Sequence, residues 1–272
     1  MQTSKFGIMQ GRLSPSINGE LQCFPFGKWE NEISFLSKAH LDFIEFFIDE
    51  EFNNENPLNS NMGIERLKKN LDLHNSEVYS ICFNYMIKHS LNEEPKVKES
   101  LFSLIENHKL LNYKIIVLPF YELSEINVDN LESYRQVITE ILELAKRKDI
   151  LVALETNIEA VQLNEYINSF NSKNLGVVYD TGNRVTFKVS LQEEIRVLKD
   201  KIFHVHLKDK NDKGNVLIGT GSVDFYEVFS ALDEIKYKKN FVFESQRGID
   251  PVNTAYNQLS YIKFIKKEAE DK

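Results

Sequence analysis

The stretch Phe203-His204-Val205-His206-Leu207-Lys208-Asp209 sets nitrogen-bearing side chains at alternate positions of an apolar run. Side chains two apart on a strand share a face, so His204, His206 and Lys208 are expected to point the same way. Polar groups on one face of a buried strand need partners. A metal ion or a substrate is one such partner, and packing as a satisfied core pair is the alternative. Three other apolar runs end in carboxylates: Leu154-Glu155-Thr156-Asn157, Tyr179-Asp180-Thr181-Gly182-Asn183 and Phe243-Glu244-Ser245. One carboxylate after an apolar strand is more often a helix cap or a solvated end. Three brought to one rim would repel each other and resist ionisation unless a cation compensated them. With one imidazole they form an O,O,O,N set suited to one divalent ion such as Mn²⁺, Mg²⁺ or Co²⁺, whereas a closed structural zinc site would favour cysteine and histidine. His206 lies nearer the C-terminal end of its strand and is the chosen ligand. His204, one layer deeper, suits a hydrogen-bonding or orienting role.

The elements that must bring these residues together can be read from hydropathy. Eight apolar, β-rich runs occur at 5–11, 43–48, 78–83, 114–120, 151–156, 175–180, 202–208 and 240–244. Segments with helical spacing separate them, for example 29–40, 96–111 and 129–148, where Tyr134, Val137, Ile138, Ile141 and Leu142 fall on one face. Asp224 is placed to cap a helix over 225–235, and Pro251 to open the last helix, expected to reach about Lys267. The strands are continuous apolar runs rather than clean alternations, as parallel strands covered on both sides should be. Eight βα units without an internal linker predict a single (β/α)8 barrel over residues 1–272, of α/β class. A doubly wound open sheet is the competitor; it would prefer a glycine-rich turn after the first strand, and Gly7-Ile8-Met9-Gln10-Gly11 lacks that spacing. In a barrel the active site lies at the C-terminal strand ends, which is where Glu155, Asp180, His206 and Glu244 fall.

Composition narrows the class of partner. The 42% hydrophobic and 27% charged residues are those of an ordinary soluble globule. A formal charge of -8, from 41 acidic against 33 basic residues, argues against a nucleic-acid groove. Cys23 and Cys82 form no CxxC pair and no disulfide framework, so a reducing compartment is expected. No apolar run reaches membrane-spanning length and the first seven residues lack a signal-peptide core, so cytoplasm is the expected location and no membrane partner is expected.

The four strand ends resemble those of the xylose-isomerase-like barrels, which include sugar and sugar-phosphate isomerases and epimerases, ketose 3-epimerases and endonuclease-IV-like enzymes. The resemblance runs over essentially all eight units and rests on Leu-Glu-Thr-Asn at Glu155, Tyr-Asp-Thr-Gly-Asn at Asp180, His-Val-His-Leu-Lys-Asp at His206 and Phe-Glu-Ser at Glu244. It implies one divalent metal, Mn²⁺ first with Mg²⁺, Co²⁺ or Zn²⁺ as alternatives, held by Glu155, Asp180, His206 and Glu244. It further implies that Glu155 and Glu244 double as acid/base groups, that the substrate is a small carbohydrate, and that the assembly is a homodimer or homotetramer. The chain departs from the ketose 3-epimerase pattern at Asn183, where a substrate-binding histidine is usual, at Asp212 in place of an arginine, and at Val161 in place of a further glutamate. Met9-Gln10-Gly11-Arg12-Leu13 and Lys208-Asp209 look more like the broad sugar-phosphate isomerase/epimerase group.

Such a constellation would run enediolate chemistry. One glutamate removes the proton alpha to a carbonyl, and the other returns a proton to the opposite face or to the neighbouring carbon, giving epimerisation or isomerisation. Loss of a beta hydroxyl would make the same residues a dehydratase of a keto-polyol or related acid. The substrate-binding candidates are Gln10, Arg12, Asn183, His204, Lys208 and Arg247, with Arg12 and Arg247 suited to an anion; the bland alternative for Arg12 is a rim salt bridge. Gly219-Thr220-Gly221 stands where barrels often cradle phosphate, or is a tight turn before Asp224. A multinuclear endonuclease would need more strand-end histidines than this chain has, since His40, His74, His89 and His108 lie elsewhere. A non-catalytic sugar-binding barrel would not need both glutamates.

Overall fold

The computed structural model describes residues 4–187 and 189–271; residues 1–3, part of the N-terminal segment read above, lie outside them. Eight parallel strands close into a barrel. They are β1 (Phe6–Met9), β2 (Phe43–Ile48), β3 (Val78–Phe83), β4 (Ile115–Pro119), β5 (Leu151–Glu155), β6 (Leu175–Asp180) and β7 (Ile202–Leu207), followed, after a small hairpin of β8 (Asp209–Asn211) and β9 (Gly214–Val216), by β10 (Phe241–Phe243). The order around the barrel is β1-β10-β7-β6-β5-β4-β3-β2. Closure excludes the open doubly wound sheet. The helices are α1 (Trp29–Lys38), α2 (Asn61–His74), α3 (Tyr85–Lys88), α4 (Pro95–Glu106), α5 (Arg135–Lys148), α6 (Ala160–Ser169), α7 (Thr181–Arg184), α8 (Leu191–Leu198), α9 (Phe225–Glu234) and α10 (Pro251–Glu270). None of the described helices is long and apolar enough to cross a membrane.

The chain forms two compact units, one of residues 45–178 and one of residues up to 44 with those from 179 onward. In the first, β3, β4 and β5 pair in register, with Ile81 opposite Ile116 and Ile116 opposite Val152. Both faces of β4 are buried, which is why Ile-Ile-Val-Leu-Pro carries no polar residue. The helical spacing over 129–148 predicts one helix, but α5 begins only at Arg135, after a 3₁₀ turn at Leu131–Tyr134. The Asn127 side chain accepts the N–H groups of Asp129 and Asn130, and this local turn competes with the helix start. The predicted 96–111 helix likewise ends at Glu106, and a 3₁₀ turn at His108–Leu110 follows.

In the second unit β1 pairs with β10 and β10 with β7, placing Val242 opposite His206 and Phe243 opposite Leu207. The expected Asp224 cap forms, Pro251 opens the last helix as expected, and Asp250 adds a cap that the sequence reading does not include. Asp224 accepts the Glu227 N–H at 3.0 Å, and Asp250 accepts that of Asn253 at 3.1 Å with Pro251 in the first turn. The last helix runs to Glu270, beyond the expected Lys267. The connection after β7 opens with β8 and β9, paired antiparallel across Asn211 and Gly214.

Candidate metal centre

Alternation along β7 puts His204 and His206 on one face, both fully buried, with ring centroids 5.3 Å apart at 73°. The β10–β7 register continues one step past β10: the Glu244 N–H donates to the Leu207 carbonyl at 3.1 Å. Glu244 is thereby brought beside His206 and Lys208, with Glu244 Oε2 2.9 Å from His206 Nδ1 and Glu244 Oε1 3.0 Å from Lys208 Nζ. Asp180 closes β6 and caps α7, its Oδ1 accepting the Asn183 N–H at 2.7 Å. Its Oδ2 is left for Lys208 Nζ at 2.8 Å. Asp180, His206 and Glu244 each offer a ligand atom within 4.8 Å of the others.

Lys208 is held in place by its backbone. Thr181 Oγ1 accepts the Lys208 N–H at 3.0 Å and donates to the Lys208 carbonyl at 2.6 Å. Gly182 is required by the same approach, because a β-carbon there would overlap the Lys208 side chain at 2.7 Å. Burial acts to raise the Glu244 carboxyl, but the Lys208 ammonium, the hydrogen bond from His206 and the Arg12 guanidinium outweigh it and hold Glu244 well below the usual carboxylate range. The Glu244 side chain keeps 14% exposure, so it can reach a ligand.

Arg12 follows β1 and is 2% exposed; its Nη2 donates to Gln22 Oε1 at 2.9 Å and lies 3.7 Å from Glu244 Oε1. Gln10 is fully buried in the same turn. Arg247 lies near Arg12 but spends its guanidinium on the backbone of the β1–α1 connection. Nη1 donates to the carbonyls of Gly11 and, at 3.2 Å, Ser14, and Nη2 to those of Leu21 and, at 2.9 Å, Glu20. Asn183 Oδ1 accepts Lys210 Nζ at 2.6 Å. The sequence candidates Arg12, Asp180, His206, Lys208 and Glu244 therefore converge, while Asn183 and Arg247 hold neighbouring loops.

The glycine pair after β7 is not a phosphate cradle. Asp209, fully buried, accepts the N–H groups of Gly219 and Gly221 through Oδ2, both at 2.9 Å, and those of Lys210 and Val223 through Oδ1 at 2.9 and 3.1 Å. The amides that would hold a phosphate are taken by a side-chain carboxylate of the protein itself.

In the other unit Glu155 ends β5, buried, and accepts a hydrogen bond from Tyr121 Oη at 3.0 Å. Tyr121 is absent from the sequence candidates, and its place just past the Pro119 strand end is the signal that marks it. Glu45 lies within the nearly apolar β2. It is fully buried and accepts a hydrogen bond from Ser80 Oγ, and one acidic residue inside Phe-Ile-Glu-Phe-Phe-Ile is the clue to it.

The ligand set fits a divalent ion. Two carboxylates and an imidazole within 4.8 Å of one another supply oxygen and nitrogen donors suited to a divalent ion, with no thiolate among them.

Among known proteins, the chain is 25% identical over 259 residues to a probable L-ribulose-5-phosphate 3-epimerase of Mycoplasma pneumoniae, covering 88% of this chain and 83% of that one. It is 24% identical over 244 residues to an inosose dehydratase of Clostridium perfringens, covering 74% and 80%. In three dimensions it superposes on the IolI protein, solved with a bound zinc atom, with a TM-score of 0.72 at 19% identity over 98% of both chains. The model of the xylose isomerase-like TIM barrel family matches residues 33–265, and the chain belongs to that family.

Proposed function

We propose that the protein is a divalent-metal-dependent epimerase or isomerase of a sugar or sugar phosphate. The observation that carries this reading is the convergence of Asp180, His206 and Glu244, with Glu244 ionised and partly open. Glu155 is assigned as the fourth ligand because it ends β5, the neighbour of β6 in the barrel order. When bound, the ion would stabilise negative charge developing on the substrate's carbonyl oxygen. Glu155 and Glu244 then act as the acid/base pair: one takes the proton alpha to the carbonyl, giving a cis-enediolate, and the other returns a proton. Tyr121 orients Glu155 through its hydrogen bond. Gln10, His204 and Lys208 line the substrate side, whereas Asn183 and Arg247 act through the loops they hold. The epimerase relative supports the choice of an isomerase.

A dehydratase is the second reading, favoured by the inosose dehydratase relative, and it would use the same abstraction followed by loss of a beta hydroxyl. Incubation in D₂O with Mn²⁺ and a panel of ketoses and ketose phosphates, followed by NMR, separates the two. Epimerisation gives carbon-bound deuterium alpha to the carbonyl, lost in Glu244→Gln and without Mn²⁺. A dehydratase gives exchange with release of water. Absence of exchange across the panel, with the metal bound, would remove the proposal.

A further inference from the structure

Cationic groups around the centre differ in what they have left to give. Lys208 lies between Asp180 and Glu244, Arg184 pairs with the buried Glu194 at 3.2 Å, Lys210 donates to Asn183, and Arg247 donates to loop carbonyls. Arg12 is different. Its Nη2 is engaged, but Nε and Nη1 are buried and find no acceptor among the described residues. The guanidinium carries three N–H groups on those two nitrogens. Beside it the Nε2 amide of Gln22 is also buried without an acceptor. Buried donors left this way are costly unless a ligand supplies acceptors.

The fold invests in keeping Arg12 there. Gly11 adopts φ +85°, and a β-carbon on it would fall 2.4 Å from the Cys23 carbonyl oxygen, so the turn brings the 11–13 and 21–23 segments together and Arg12 against Gln22. Glu32, fully buried on α1, accepts the N–H groups of Gly11 at 2.7 Å and Leu13 at 3.1 Å, while Arg247 grips the carbonyls of Gly11 and Ser14. The residue on each side of Arg12 is thus fixed by the buried Glu32 carboxyl group. Burial, together with the repulsion of Arg247, lowers the Arg12 guanidinium to about 10, which leaves it cationic at neutral pH.

We infer that Arg12 and Gln22 form an oxyanion-binding subsite beside Glu244, so that the substrate carries a phosphate ester or a carboxylate. This rests on the reading of Glu244 as part of the active centre. Glu32 and Arg247 are its positioning residues. With the amides of Gly219 and Gly221 committed to Asp209, the anion is recognised from the β1 side of this unit rather than from the loop after β7.

The test is calorimetric titration of inorganic phosphate, and separately of glycolate, into the full-length Mg²⁺-loaded protein. Binding should weaken by about tenfold or more in Arg12→Gln, as expected for loss of charge-assisted hydrogen bonds. Gln22→Glu, which puts a carboxylate beside the guanidinium with little change of shape, should suppress it as well, and this variant covers the case in which Arg12→Gln does not fold. Preference for phosphate identifies a phosphate ester, and preference for glycolate a keto acid. No binding of either anion by the wild type, or affinity unchanged in both variants, overturns the subsite. So does binding that vanishes in Asp180→Asn yet ignores Arg12→Gln, since that anion would be sitting on the metal. Anion binding through Arg12 without proton exchange on any ketose would keep the subsite and remove the epimerase. Exchange on neutral ketoses, with KM unchanged in Arg12→Gln, would do the reverse.

Discussion

Glu32 holds the turn that carries Arg12 from beneath, through the N–H groups of Gly11 and Leu13. In Trp29-Glu30-Asn31-Glu32 it reads as one of several acidic residues in a helix's first turn, a common surface pattern. Only the structure shows it fully buried beneath the Arg12 turn, with both oxygens on backbone N–H groups. Burial raises its carboxyl from 4.5 to about 7, against the lowering effect of those amides, Ser14 and Arg247. Between those two values the folded protein holds a proton that the unfolded chain has lost. Stability from this group is therefore full below about pH 4.5, falls as pH rises to about 7, and is level above it. The loss is on the order of 3 kcal/mol, from about 1.36 kcal/mol per unit. Denaturant unfolding at pH 5, 6, 7 and 8 should show that decline, and Glu32→Gln should flatten it. An unchanged slope in the variant would mean that Glu32 stays ionised throughout, held by its two amides. By contrast Asp180, His206 and Glu244 were legible because they end apolar strands, where a polar residue has few bland explanations.

At the scale of elements, the connection after β7 depends on one side chain. Asp209 gathers the N–H groups of Lys210, Gly219, Gly221 and Val223, and a β-carbon on Gly221 would overlap its Oδ1. Asp209→Ala would leave four amides without their acceptor. Loss of charge-assisted bonds in a buried setting should cost about 3 kcal/mol, or roughly 5–10 °C in Tm. Thermal melting, with limited proteolysis mapping new cleavage to 210–223, checks both the size and the place of the effect. The strand before this loop and the Asp224 cap after it are legible in the sequence, because each has a local signature. The β8–β9 hairpin and the use of the glycine amides are not, because Asp209 and Gly221 are joined only by the folded loop. The late start of α5 has the same origin: hydropathy saw a continuous face over 129–148, whereas the Asn127 side chain bonds decide where the helix begins.

For the whole molecule, the eight-unit rhythm was visible because parallel strands buried on both sides leave long apolar runs, and the closed barrel bears it out. What a barrel does not encode in hydropathy is how folding and ligand binding are linked, and here the acidic rim makes the link measurable. Asp180 and Glu244 lie 2.8 and 3.0 Å from Lys208, so the folded chain already needs positive charge at that point, and a divalent ion would meet the same need more strongly. The ligands are far apart in sequence, so the unfolded chain offers no comparable site. An ion that binds only the folded state stabilises it by RT ln(1 + [L]/Kd), about 2.7 kcal/mol at a hundredfold excess over Kd. For a chain of this size that is a rise of roughly 5–10 °C in Tm. Mn²⁺ added to metal-stripped protein should produce this rise, EDTA should reverse it, and Asp180→Asn should abolish it while retaining the N-cap acceptor through its amide oxygen. A rise that persists in Asp180→Asn would place the ion elsewhere on a chain of net charge -8 and detach the metal from the centre.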